Sequence, residues 1–90
     1  MQLAEFIANI DDGEVVYCEG LEEALVGFSS RFAEGPLATY DIKKVIDIFM
    51  NRDGMTFEDA NEYFEYNVLG SWVGERTPVF ITFPDNPIFG

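Results

Sequence analysis

The sequence contains no histidine, one cysteine and only five basic residues. Without an imidazole, no histidine-based general base, metal ligand or proton shuttle can be built. A single thiol without histidine also excludes the usual cysteine catalysis, and no Cys/His cluster exists for zinc. Because Cys18 has no partner for an intramolecular disulfide, we expect a reducing compartment and a buried structural thiol.

Phosphate-binding and membrane-targeting features are also missing. Gly70 and Gly74 flank Ser71-Trp72-Val73 without the lysine of a phosphate-binding loop. The first twelve residues lack the basic and long apolar regions of a signal peptide, and no run approaches the roughly 20 apolar residues of a membrane span. The scarcity of Lys and Arg argues against direct binding to nucleic acid or anionic lipid. These absences predict a cytoplasmic protein with no catalytic residues, no cofactor and no metal site.

Apolar and acidic residues dominate what remains. Of the 90 residues, 48% are hydrophobic and 16% aromatic, while 17 acids against five bases give a net charge of −12. This apolar content suits one hydrophobic core with a charged surface. We predict a single compact domain over residues 1–83 and an extended tail over residues 84–90, where Pro84 and Pro87 disfavour regular structure.

Apolar spacing predicts the helices. Residues 3–10 favour a short helix, although the Asp11-Asp12-Gly13 turn and the residues after it could equally close a hairpin. A second helix is predicted to begin at Leu21 and to end at Gly35-Pro36. Two more follow N-caps, one after Asp41 and one after Thr56. The apolar faces of these last three helices comprise Leu21, Ala24, Leu25, Phe28 and Phe32; Ile42, Val45, Ile46 and Phe49; and Phe57, Ala60, Phe64 and Val68.

Short strands are predicted where β-branched and aromatic residues follow one another. They cover residues 15–18, 37–40 and 77–83. The predicted fold class is therefore α+β, with three main helices packed on a small sheet of two to four short strands.

The last predicted helix carries the candidate partner-binding residues. Its acids project away from the apolar face, Tyr63 and Tyr66 lie at the flanks, and the predicted contacts are Glu58, Asp59, Glu62, Glu65 and Tyr66. Residues 41–55 hold three acids and three bases, so the other 14 acids and two bases carry the whole net charge. A solvated acidic face explains the same pattern equally well, since the first turn of a helix favours acids.

The stretch from residue 40 to residue 80 resembles a family of small acidic proteins encoded by bacteriophages and some bacterial genomes. The similarity is concentrated in RDGMTFEDANEYFEYNVLGSWVGERTPVF. It comprises an RDGM turn, an acid-rich EYFEYN helix and a G-x-x-x-G-E-x-T-P-x-F ending, and it covers nearly half of the chain. The resemblance implies a phage setting and brings no activity with it.

Three functional hypotheses fit these features. The leading one is a non-enzymatic phage inhibitor that imitates nucleic acid and occupies a basic site on a host defence or DNA-processing protein. The alternative is a structural or assembly accessory that homodimerises through the aromatic residues around Trp72, with the acids serving solubility. A small carboxylate- and metal-dependent enzyme is the least favoured, because Asp11, Asp12 and Glu14 lack the ligand spacing of an EF-hand.

Overall fold

A computed structural model describes residues 3–31, 35–71 and 76–85. The elements are α1 (Leu3–Ile10), a 3₁₀ turn (Glu22–Ala24), β1 (Leu25–Ser29), β2 (Leu37–Asp41), α2 (Ile42–Asp53), α3 (Phe57–Tyr63) and β3 (Val79–Ile81). After α3 the helix continues through a π segment (Phe64–Val68) and a 3₁₀ turn (Leu69–Ser71). The described residues thus form an α+β fold with three helices and a three-stranded mixed sheet, which confirms the predicted fold class.

The sheet is built around β2. Its strand order is β1-β2-β3, with β1 antiparallel and β3 parallel to β2. Phe28 of β1 pairs with Ala38, and Phe80 of β3 pairs with Tyr40. Because both of its edges carry a neighbouring strand, β2 is buried along its whole length, as expected for a central strand.

The hydrophobic core lies between this sheet and one face each of α2 and α3. Its helical members are Val45, Ile46, Phe49, Ala60, Phe64 and Val68. The Phe80 ring stacks on Tyr40 at 5.7 Å between centroids and meets Phe64 edge-on at 5.1 Å. Aromatic packing therefore joins the helical segment after α3 directly to the sheet.

Local capping interactions define α2 and the start of α3, as predicted. Asp41 accepts a hydrogen bond from the Lys43 N–H at 2.9 Å, and Thr56 Oγ1 accepts one from the Asp59 N–H at 3.1 Å. Between the two helices Gly54 adopts a left-handed conformation with φ of 71° and donates its N–H to the Phe49 carbonyl. These caps end α2 and begin α3 within a few residues.

The helix predicted from Leu21 is wrong. Residues 22–24 form only the 3₁₀ turn, and residues 25–29 form β1. The spacing of Leu25 and Phe28 suits a helix, but Gly27 lowers helix stability and the ladder with β2 satisfies the backbone of this stretch. Phe32, the last residue of the predicted apolar face, lies outside the described residues.

Other boundaries differ from prediction. Residues 15–18 form no strand; the Cys18 N–H is instead satisfied by the Tyr40 hydroxyl at 2.8 Å. The alternatives over residues 3–10 resolve to a helix, and β3 is shorter than predicted. Phe57 was predicted to face the core but is 37% exposed. Trp72 and the tail beyond residue 85 lie outside the described residues.

Candidate partner-binding surface

The orientation of α3 follows from its buried side. Ala60 and Phe64 are buried in the core, and the ring of Tyr63 meets Phe49 of α2 edge-on at 5.1 Å. Successive side chains on an α-helix are about 100° apart, so burial of Ala60 and Phe64 directs Glu58 and Glu62 to the opposite side. The core thus determines which carboxylates face solvent.

All five predicted contact residues lie on this exposed side of the continuous helical segment. We call them the α3 acidic face, defined by Glu58, Asp59, Glu62, Glu65 and Tyr66. Each of the five is exposed, and Tyr66 is 74% exposed. The structure therefore brings the predicted residues together on one element.

No ion pair among the described residues neutralises the α3 acidic face. Lys43 pairs with Asp47 at 2.7 Å and Arg52 pairs with Asp53 at 3.1 Å, both on α2. Arg76 pairs with Asp12 at 2.7 Å. These three cations are therefore paired away from the α3 acidic face.

The π segment changes the geometry beside Tyr66. The Leu69 N–H bonds to the carbonyls of both Phe64 and Glu65, so the turn holds more residues than an ordinary α-helical turn. A wider turn reduces the rotation between successive residues, so the side chains from Phe64 to Val68 do not follow regular α-helical periodicity. The sequence pattern gave no indication of this irregularity.

A groove of about 490 Å³ runs beside these two tyrosines. Its walls are formed by Met55, Asp59, Glu62, Tyr63, Tyr66 and Asn67. Asp59, Glu62, Tyr63 and Tyr66 are spaced i, i+3, i+4 and i+7, which places them along one stripe of the helix. Met55 and Asn67 were not predicted here, although each lies four residues from a groove residue, at Asp59 and Tyr63 respectively.

Exposed apolar side chains accompany the acids. Leu69 is 50% and Tyr63 42% exposed, and both belong to the same continuous helical segment as the α3 acidic face. Tyrosine and other large apolar side chains at an exposed position supply contact area in protein interfaces. The helical segment therefore exposes apolar side chains as well as acids.

A second cavity, of about 470 Å³, lies between the first 3₁₀ turn and α2. Its lining comprises Gly20, Glu22, Glu23, Lys44, Asp47, Ile48, Asn51 and Arg52. Asp47 and Arg52 are already ion-paired, and the Arg52 guanidinium also donates to the Gly20 carbonyl at 2.8 Å. With charges of both signs, this cavity favours no single ligand charge.

A third cavity, of about 190 Å³, reaches the buried thiol. Cys18, Tyr63 and Asn67 are among its lining residues. Burial raises the pKa of Cys18 to about 11, so the thiol stays protonated near neutral pH. A protonated, buried thiol is a poor nucleophile, which agrees with a structural role for this cysteine.

The acids at residues 11–14 are held by internal contacts. Asp11 accepts a hydrogen bond from the Tyr17 hydroxyl at 2.8 Å, and this bond is the main cause of the lowered pKa of Asp11. Arg76 donates hydrogen bonds to Asp12 and, at 3.4 Å, to Glu14. Among the described residues, no group of three His, Cys, Asp or Glu has the arrangement of a metal site.

Within the described segments, no helix combines the length and apolar character needed to cross a bilayer. Comparison of the chain with models of known families, with curated proteins and with solved structures finds no match in any of the three.

Proposed function

We propose that the protein is a non-enzymatic binding protein whose α3 acidic face occupies a basic site on a partner protein. The observation that carries this proposal is the set of four exposed carboxylates on one continuous helical segment, none of them in an ion pair among the described residues. Unneutralised charge on one side favours association with a surface of opposite sign and accelerates the encounter. Tyr66 supplies an exposed aromatic contact at the same place.

The spacing of the charges supports imitation of nucleic acid. From Glu58 to Glu65 the helix axis advances by about 10 Å, in steps of about 1.5, 4.5 and 4.5 Å between successive carboxylates, so their mean axial spacing is about 3.5 Å. A DNA strand carries one phosphate charge per about 3.4 Å along its axis. The mean charge density along the helix is therefore close to that of one DNA strand, which supports binding in a Lys/Arg groove. With the resemblance to phage proteins, the partner is a host defence or DNA-processing protein in the cytoplasm of the infected cell.

A charge-reversal experiment tests the proposal. Immobilised protein is used to capture partners from bacterial host lysate at about 50 mM and about 200 mM salt, because contacts of this kind weaken steeply over that range. E62K/E65K should reduce capture about tenfold or more. The matched control E5K/E23K makes the same change in net charge on α1 and the first 3₁₀ turn, and should capture the partner normally.

Two outcomes contradict parts of the proposal. Equal capture by the wild-type protein and E62K/E65K, both shown to be folded by circular dichroism, overturns the assignment of the α3 acidic face. Excess duplex DNA should release the captured partner if the acids replace phosphates. If the partner stays bound in excess DNA, the protein is still a binding protein, but the proposal that it imitates nucleic acid is contradicted.

A homodimeric assembly accessory is the second candidate. It is favoured by the exposed Tyr66 and Leu69, which a second copy of the chain could cover. Light scattering separates the two functions. A dimer that persists at high salt and dissociates in Y66A would replace the inhibitor proposal.

A further inference from the structure

The groove on the α3 segment combines negative charge with aromatic walls. Asp59 and Glu62 lie one helical turn before Tyr63 and Tyr66, and all four line the same space of about 490 Å³. No Lys or Arg is among the described residues of its lining. The carboxylates therefore face an opening that no described cation occupies.

A cation of the protein itself lies beside the groove but is bonded to other groups. Arg52 lines the neighbouring third cavity together with Tyr63 and Asn67, but its guanidinium bonds to Asp53 and to the Gly20 carbonyl. Arg52 also lines the two other cavities and not this groove. Among the described lining residues the groove therefore has two carboxylates and no cation.

An arginine side chain matches the groove better than other cations. Its planar guanidinium can donate in parallel to carboxylates such as Asp59 and Glu62, and it stacks on aromatic faces. Its methylene stem can pack on the apolar parts of Met55 and the tyrosines. Lysine has an ammonium group of the same charge, but it lacks the planar set of N–H donors and the flat face that stacks on aromatic rings.

We propose that this groove is an arginine receptor, in which a guanidinium from the partner inserts between Tyr63 and Tyr66 and bonds to Asp59 and Glu62. The inference rests on the proposed function and makes it more specific, because one side chain of the basic partner is assigned a defined place. Glu58 and Glu65, which do not line the groove, supply attraction at longer range.

Three peptides of matched length test the receptor by calorimetry and by NMR mapping of amide shifts. They are acetylated tetra-arginine amide, the same peptide with lysine, and the same peptide with citrulline, which keeps the shape of arginine without its charge. Tetra-arginine should bind about two- to fivefold more tightly than tetralysine, and citrulline should not bind. The amide shifts should be largest between residues 55 and 67.

Paired variants on the same helix separate the groove from general electrostatics. D59N/E62Q should weaken tetra-arginine binding roughly five- to thirtyfold and abolish the preference over lysine. E58Q/E65Q removes the same charge outside the groove and should keep that preference. Y66A should cost about two- to fivefold for arginine and little for lysine. Thermal unfolding of each variant serves as the control for folding. We expect all of them to be folded, because the substituted positions are exposed.

The outcomes distinguish this inference from the proposed function. Equal affinities for the arginine and lysine peptides, with equal losses in D59N/E62Q and E58Q/E65Q, overturn the receptor but leave the α3 acidic face as an electrostatic docking surface. Absence of binding by tetra-arginine also overturns the receptor. The capture experiment with E62K/E65K decides the proposed function independently of both results.

Discussion

At the residue scale, Tyr40 links the central strand to the segment before the first 3₁₀ turn. It is 1% exposed, its ring stacks on Phe80, and its hydroxyl accepts the Cys18 N–H across 22 positions of sequence. Burial raises the pKa of Tyr40 to about 12, so the phenol remains neutral over the physiological range. Through this hydrogen bond, one side chain of β2 anchors residues 15–18, which form no strand.

Removing the Tyr40 hydroxyl should destabilise the fold. Tyr40→Phe leaves the buried Cys18 N–H without its acceptor, which costs about 1–3 kcal/mol of unfolding free energy. Urea denaturation measures the change. Tyr66→Phe removes the same atom from an exposed ring and should alter stability by less than about 0.5 kcal/mol. Equal stabilities of Tyr40→Phe and the wild type would show that water replaces the hydroxyl.

The sequence predicts contacts between residues that are close along the chain better than contacts between distant residues. The caps at Asp41 and Thr56 act within two or three residues, so composition and spacing suffice to predict them. The bond from Cys18 to Tyr40 joins distant positions and depends on how the sheet packs. For the same reason the acids of the α3 face were predictable from helical periodicity, whereas Met55 as a groove wall was not.

At the element scale, the turn between α2 and α3 determines where the acidic face points. Gly54 ends α2 in a left-handed conformation with φ of 71°, and Thr56 caps α3 two residues later. Only glycine adopts this conformation without steric cost from a Cβ. The direction of α3 relative to the core therefore depends on one backbone position.

Gly54→Ala should destabilise the protein by about 1–2 kcal/mol, because an alanine in the left-handed region is strained. A Cβ at this position would meet no atom within 4 Å, so the effect reports conformation and not a clash. Gly27→Ala is the matched control, since it also points a methyl group into open space but has no positive φ. Thermal denaturation should show a loss of stability for the first and none for the second.

The elements also show why sequence patterns predicted helices better than strands. The apolar face of α2 and its caps all lie within one stretch of chain, so the prediction held. Residues 25–29 carry apolar residues at helical spacing, yet they form β1 because their partner, β2, supplies hydrogen bonds that local sequence does not reveal. The π segment depends in the same way on packing against the core.

At the scale of the whole molecule, Arg76 connects two distant parts of the chain. Its guanidinium bonds to Asp12, 64 positions away, and to the Pro36 carbonyl at 3.2 Å. The hydrogen bond from Arg76 is the main cause of the lowered pKa of Asp12. The chain has only five basic residues and a net charge of −12. One of these few cations, Arg76, thus links the segment before β3 to the loop after α1.

The Asp12 pair should give a pH-dependent contribution to stability. The folded pKa of Asp12 lies below the ordinary aspartate value of 3.8, so ionised Asp12 stabilises the fold above that pH, and the contribution is lost as the pH falls through the folded pKa. Asp12→Asn should therefore be less stable than the wild type at pH 7, and the difference should shrink at about pH 3.

Thermal unfolding of both proteins across this pH range provides the measurement, because titration of the other carboxylates is common to both. Glu23→Gln, which removes an exposed carboxylate from the first 3₁₀ turn, is the control for the loss of one negative charge. If the difference in unfolding temperature between Asp12→Asn and the wild type stays constant from neutral to acidic pH, the role assigned to the ion pair is contradicted.

Because β3 lies far after β2 in the sequence, the central strand lacks its parallel partner during part of translation. The antiparallel partner β1 precedes β2, but β3 is translated 38 positions after the last residue of β2. At about 5–20 residues per second, one edge of the central strand stays open for roughly 2–8 seconds during translation. A nascent chain interrupted before Val79 would keep that edge unpaired, and exposed strand edges recruit other chains into aggregates.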